Sequence, residues 1–341
     1  MSPRPASRDR PRLPPALVLL VGVSAMSFAG PLVRFSTAPA MVISAWRLTF
    51  SVALIALVLA FRSAAWREVR LTRAEWLQAV LSGLLLAAHF WAWIASLSLT
   101  TVSSSVVLVS TQPIFVALLS TFVLHEAVTR RQWLGIAIAV AGAAVIGWGD
   151  FGAGRDALVG DLLAVAGAVF VSGYYIIGRR LRQKLDLWVY IGIVYGIAAG
   201  AFLVLGALHP GVALTGYPRS DWLIFLALAA GPMMLGHTGV NYALRYLKAH
   251  VANLALLGEP VGATLIAWLL PSIAEVPGPQ TLAGAALILG GIAVAVSRRG
   301  GSAPPAAVAQ PVERGHIDPP RHDDVARGHG VGTGDSTSYG A

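Results

Sequence analysis

HVANLALLGEPVGATLI, residues 250–266, lies over SSSVVLVSTQPIFVALL, residues 103–119, so that Pro260 matches Pro113 and Glu259 matches Gln112. Internal similarity of this kind bears on the whole architecture and is settled before function. In the same phase, with a one-residue gap, His89 of HFWAWIAS falls over His237 of HTGVNYAL. Past a two-residue insertion, QWLGIAIAVAG at 132–142 falls over TLAGAALILGG at 281–291. The chain reads as two copies of one unit.

Both copies are too apolar for water. Hydrophobic residues make up 56% of the 341, charged residues only 12%, and the mean hydropathy is +0.70, which marks an integral membrane protein. Apolar stretches approach or exceed the roughly 20 residues a helix needs to cross a bilayer, and without water to satisfy the backbone such stretches are helices. Ten are expected, at 15–35, 39–61, 76–97, 101–124, 132–149, 158–178, 187–208, 222–243, 250–270 and 280–297. The expected fold is all-α, with five helices per copy. An odd number of crossings makes the second copy enter from the opposite face, giving two inverted five-helix repeats, 15–149 and 150–297, the plan of many secondary carriers. Residues 1–14 form an N-terminal arm. Residues 298–341, rich in Gly, Pro, Ala, Asp and His, cannot bury a core and read as a disordered tail; His316, His322 and His329 there read as solvated.

Charge fixes the expected orientation. Of the 25 lysines and arginines, only Arg34, Arg155 and Arg219 fall in loops on one side, and Arg47 lies inside a helix. The rest gather on the side of the N-terminus, so the positive-inside rule puts both termini in the cytoplasm. The net charge of +9 is thus read as topology, with the lipid bilayer as partner and no nucleic-acid footprint. The first helix follows RDRPR like a secretory signal, with APA at 38–40 as a weak cleavage-like site, but the helices directly behind it predict that it stays uncleaved. With no cysteine, disulfides and thiolate metal sites are excluded; no metal or cofactor motif is present, and no GxxxxGK[ST] loop offers ATP as a driving force.

Helix packing is legible in small residues repeating every fourth position, Gly160, Ala164, Ala168 and Ser172 in one helix and Gly135, Ala139, Ala143 and Gly147 in another, which let backbones approach in lipid. Trp133 and Trp148, about 22 Å apart on a helix, read as interfacial anchors, as do Trp66, Trp76, Trp188 and Trp222.

A charge at the bilayer centre costs about 2.5–3.5 kcal/mol on insertion scales, so it should face protein or water. Arg47, on a stripe with Ser44 and Ser51, and Glu259, among Ala255, Leu256, Gly262 and Ala263, both point inward on this reading. Pro260 and Pro113 lack a backbone N–H and deny Leu256 and Val109 their helical partners; two weakened helices carrying Gln112 and Glu259 would line one cavity. Two readings stay open: Arg47 and Glu259 neutralise each other as a structural pair, or they bind cargo or couple protons. His237 with Asn241 one turn on, and His89 with Trp93 one turn on, are either packing residues or cavity groups titrating near neutrality. Tyr174, Tyr175 and Tyr195 would add a wall with hydroxyl handles. Glu126 and Glu275 occupy matched loop positions and read as solvated helix-end charges, with gating as the other role.

The block TQPIFVALLSTFVLHEAVTRRQWLGIAIAVAG at 111–142, with GDLLAVAGAVFVSGYYIIGRR at 160–180 and NYALRYLKAHVANLALLGEPVGA at 241–263, resembles the EamA family of the drug/metabolite transporter superfamily over nearly all of residues 15–297. The resemblance implies a ten-helix carrier of small metabolites, commonly an exporter of the cytoplasmic membrane, and not an enzyme. An arginine and a carboxylate in one cavity would suit a zwitterion such as an amino acid. A passive channel is the nearer alternative; a polytopic enzyme acting on lipid-linked substrates is the other, although the inside loops are short and mostly arginine-bearing rather than metal-binding.

Overall fold

The computed structural model describes residues 11–62, 69–147, 154–270 and 278–296, and these are helical with no strand. Trp66, Trp148, Glu275 and the histidines of the tail lie outside the described residues. Eight helical segments are long and apolar enough to cross a membrane, and a shorter apolar stretch runs from Leu282 to Ala295.

The first crossing is α1 (Pro15–Met26) followed by α2 (Ala29–Arg34). Then come α3 (Ala40–Ala60) and α4 (Arg73–Ser96). A capping box starts α4: Thr72 Oγ1 accepts from Glu75 N at 3.3 Å while Glu75 Oε2 accepts from Thr72 N at 2.7 Å, satisfying two backbone donors that the helix leaves open. The next crossing is broken into α5 (Val102–Val109) and α6 (Gln112–Phe122). After α7 (Arg130–Gly147), α8 (Arg155–Leu181) and α9 (Leu187–Leu208), the chain runs through α10 (Arg219–Leu228), a π-helical segment (Ala229–His237) and α11 (Thr238–Tyr246). A second broken crossing, α12 (Ala249–Leu256) and α13 (Glu259–Leu269), precedes α14 (Pro279–Val296).

The breaks fall where the prolines put them. Pro113 and Pro260 stand in the first turn of α6 and α13, the position where a missing N–H is not needed. Just before, the backbone tightens to three-residue bonds, Thr111 N to Leu108 O at 3.1 Å and Gly258 N to Ala255 O at 3.1 Å. Two interruptions are not apparent from the hydrophobic pattern. The first crossing stops at Ser27 and Phe28, and the 222–243 stretch, expected as one α-helix, holds the π segment with Pro232 inside it; proline removes an α-type bond, and a wider turn absorbs the loss.

Side chains follow membrane rules rather than soluble ones. On α8, Gly160, Ala164, Ala168 and Ser172 are buried, while Leu158 and Leu162 point outward at 58% and 63% exposure. Small residues face helices and large apolar ones face the surroundings, as lipid favours. The closest approach joins α7 to α14: a Cβ built on Gly135 would lie 2.6 Å from the Gly291 carbonyl oxygen, and one on Gly142 would lie 2.6 Å from that of Gly284. The beginning of each helix therefore meets the end of the other, so the two run antiparallel. Other large contacts join α4 with α8, α3 with α9, and α1 with the π segment and α11.

Candidate functional site

Breaking two crossings brings two helix N-termini to one cavity. Gln112 opens α6 and Glu259 opens α13, where the positive end of the helix dipole favours an anionic side chain. The breaks are tied down alike: Ser172 Oγ donates to the Gln112 carbonyl at 3.2 Å, and Ser27 Oγ donates to the Glu259 carbonyl at 3.4 Å. Each serine also bonds back one turn, to Ala168 O at 2.6 Å and Val23 O at 2.9 Å. Carbonyls near a helix break thus find donors from a neighbouring helix, as a backbone in lipid requires.

Between these breaks lies a cavity with about 20 Å³ of free room, lined in part by Arg47, His89, Gln112, Tyr175, His237 and Glu259. That holds a water or so and is too small for a metabolite. Arg47 and Glu259 are both buried, at 1% and 7% exposure, yet no Arg47–Glu259 pair is among the ion pairs that the described residues make within 4.0 Å. The guanidinium instead lies over the Phe90 ring, 4.1 Å from its centroid, a cation–π contact, and Nη2 reaches Met233 Sδ at 3.9 Å. Its Nε and Nη1 meet no hydrogen-bonding partner in the protein. A buried cation with open donors, across a cavity from a carboxylate, suits an anionic or zwitterionic guest.

The histidines form a second side of the cavity. The His89 and His237 rings are 6.0 Å apart, with Phe90 packed edge-on against His237 at 5.1 Å. His89 Nδ1 bonds the Gly167 carbonyl at 2.9 Å, and His237 Nδ1 bonds the Tyr175 hydroxyl at 3.2 Å. Tyr174 and Asn241 stand behind this layer: the Asn241 amide bonds the Tyr174 hydroxyl and donates to the His237 carbonyl at 2.7 Å, and neither residue lines the cavity. Tyr175 does, with Trp93 and with Pro232 of the π segment. Periodicity treats that segment as an ordinary helix; its proline is the signal that points to it.

Beyond the cavity toward the arginine-rich loops, α8 ends in a clasp. Arg179 Nε donates to Glu126 Oε1 at 2.8 Å and Nη1 to Leu244 O at 2.6 Å, while Glu126 Oε2 accepts from Ala249 N at 3.1 Å. Glu126 is therefore engaged and only 15% exposed, not the solvated helix-end charge its loop position suggests. His250 is buried beside it with neither ring nitrogen bonded. At the other end of the bundle, Arg34 Nη1 donates to Leu97 O at 2.9 Å, and Asp221 accepts from Thr37 N at 3.0 Å and Thr37 Oγ1 at 2.7 Å.

The sequence model of the EamA-like transporter family matches residues 13–148 and again 158–297. This chain belongs to the EamA-like transporter family. It is a multi-pass membrane protein, with EamA-like sequence over both halves. Among its relatives, a "probable amino-acid metabolite efflux pump" of Salmonella typhimurium is 30% identical over 195 residues, 54% of this chain and 64% of that protein. A "probable terminal-alkyne amino-acid exporter" of Streptantibioticus cattleyicolor is 29% identical over 198 residues, 56% of this chain and 63% of that one. An uncharacterized transporter of Bacillus subtilis is 27% identical over 197 residues, 56% and 62%. The chain thus spans less than two thirds of the length of these curated relatives. A solved crystal structure shares this EamA-like fold, with a TM-score of 0.67 at 21% identity over 83% of this chain and 96% of the other.

Proposed function

We propose that the chain is a secondary transporter that exports small zwitterionic metabolites of the amino-acid type across the cytoplasmic membrane, by alternating access around the Arg47–Glu259 cavity. The observation that carries this is Arg47: buried, in no direct ion pair with Glu259, and open at two nitrogens. A structural pair would bring the two charges together, because an isolated buried charge is strongly unfavourable. Once the cavity, which holds only about 20 Å³ in this closed state, opens toward one side, a guest bearing a carboxylate and an ammonium would satisfy both charges at once. One relative is described as a probable amino-acid metabolite efflux pump and another as a probable terminal-alkyne amino-acid exporter, which agrees with that cargo class.

The frame is read as ten crossings in two inverted units, 15–149 and 150–297, with both termini in the cytoplasm. The family match occurs twice, which supports duplication, and two further observations support inversion. The α7 and α14 glycines meet reciprocally and antiparallel, Gly135 with Gly291 and Gly142 with Gly284, where Gly135 aligns with Gly284 and Gly142 with Gly291. The Ser172–Gln112 and Ser27–Glu259 bonds exchange under the same relation. The Glu126–Arg179 clasp would close the cytoplasmic end and the Arg34–Leu97 contact the outer end, so that cargo passage opens one while the other holds.

Counterflow in proteoliposomes tests the reading. Amino acid inside should accelerate uptake of labelled amino acid, and Glu259→Gln should lower that flux at least tenfold while the protein stays monodisperse. Flux without exchange acceleration would favour a pore, and full flux with an unchanged pH profile in Glu259→Gln would remove Glu259 from the mechanism.

A further inference from the structure

A second, larger cavity of about 970 Å³ opens between α1, the start of α9 and the π segment with α11. One end is cationic: Arg12, Arg62, Arg182, Lys184 and Arg245 line it, with Asp186 the carboxylate among the described lining residues. The other end is apolar, walled by Leu17, Val18, Val21, Met234 and Leu235, of which Leu17, Val21 and Leu235 are about half exposed. Charge at one end and grease at the other is the shape of an amphiphile, not of a soluble metabolite.

The cationic end is built into the fold. The Tyr242 hydroxyl donates to Leu13 O at 2.9 Å and accepts from Leu13 N at 2.9 Å, pinning the chain next to Arg12. Arg182 is buried and donates to the Asn241 and Leu185 carbonyls. Burial, with Arg245 nearby, lowers its pKa to about 10, so it stays charged at neutral pH. Arg62 stands 3.6 Å from Asp186 and Lys184 is 2.8 Å from Glu75, exposed contacts that leave these cations room to meet a further anion. Five cations exceed the two carboxylates beside them.

We propose that this groove holds an anionic phospholipid of the cytoplasmic leaflet, its phosphate among Arg12, Arg62, Lys184 and Arg182 and an acyl chain along Leu17, Val21 and Leu235. Basic clusters at the cytoplasmic ends of transmembrane helices attract anionic headgroups, each cation contributing about 1 kcal/mol. The leaflet rests on the orientation proposed above. Thr238 and Gly239 line the groove, directly following His237 of the cargo cavity, so a bound lipid would brace the π segment.

The full chain, purified in mild detergent, is titrated with phosphatidylglycerol, with phosphatidylcholine of the same chains, and with glycerol 3-phosphate, and retained ligand is read by native mass spectrometry. Phosphatidylglycerol should be retained about tenfold better than phosphatidylcholine, and glycerol 3-phosphate should not displace it. Arg12→Ala with Arg62→Ala should weaken phosphatidylglycerol binding roughly twentyfold, as two such cations imply; Arg130→Ala, outside the groove, should not. If the double variant melts early, Arg12→Ala alone, exposed near the start of α1, should still weaken binding about fivefold. Equal retention of both lipids, an unchanged double variant, an equal loss in Arg130→Ala, or displacement by glycerol 3-phosphate would overturn the proposal. Retention in detergent does not depend on insertion or flux, so its failure is distinct from failure of the transporter reading.

Discussion

Arg47 is the residue on which the proposed cargo role and stability make different demands. It is held by Phe90 and Met233 and makes no ion pair within 4.0 Å with Glu259, so replacing it with an apolar side chain breaks no direct salt bridge. An unpaired buried charge is costly in a low-dielectric interior, so an apolar side chain of similar length should be tolerated at this position. Arg47→Met should therefore melt no lower than the wild type while losing amino-acid flux. A fall in melting temperature together with retained flux would assign Arg47 to structure. The inward placement of Arg47, Glu259, Gln112, His89 and His237 was legible in the sequence because polar groups in a bilayer have few alternatives. Which tyrosine lines the cavity was not: Tyr174 and Tyr175 are adjacent, both fully buried, and separating their directions takes the tertiary contacts of Asn241 and His237.

At the scale of single elements, the two proline breaks deliver Gln112 and Glu259 to the cavity. Pro260→Ala restores a backbone donor and permits a continuous helix from Ala249 to Leu269. Pro260 stands in the first turn of α13, where its missing N–H costs little, so stability should change little, while Glu259 should swing away from the cavity. Exchange of the amides around Leu257 and Gly258 should slow and flux should fall; faster exchange with normal flux would contradict the role given to the break. Both prolines were readable because each follows a polar residue inside an apolar run. The π segment was harder to see. Pro232 sits in a stretch whose hydropathy looks like any other crossing, and π geometry leaves no apolar period of its own. The serine braces Ser27 and Ser172 were hidden for a different reason: a serine bonding back one turn is unremarkable until the neighbouring carbonyl is seen.

At the scale of the whole molecule, an arginine donates to a backbone carbonyl at each end of the bundle, Arg179 to Leu244 and Arg34 to Leu97, and one end adds Glu126. Glu126 joins Arg179 to the Ala249 amide, tying the loop after α6 to the ends of α8 and the start of α12. Removing one partner of such a charged contact costs about 1–3 kcal/mol. Glu126→Ala should lower the melting temperature by several degrees and speed hydrogen exchange selectively over residues 244–252. Uniform exchange along the chain would deny the clasp a local closing role. Loop position alone had suggested a solvated Glu126, because a sequence does not show which distant guanidinium folds back onto it. The repeat itself, by contrast, stood in the alignment of Gln112 with Glu259 and of Gly135 with Gly284.

Inversion is the claim on which the proposed alternating access depends, and the absence of native cysteines makes it directly measurable. Single cysteines at Ser98 and at Lys248 probe matched loops of the two halves, as do Arg130 and Gly278, and all four positions are exposed. With a membrane-impermeant thiol reagent on intact cells, Ser98→Cys and Gly278→Cys should label from outside, and Lys248→Cys and Arg130→Cys only after permeabilisation. Matched loops labelling from the same face would contradict the account.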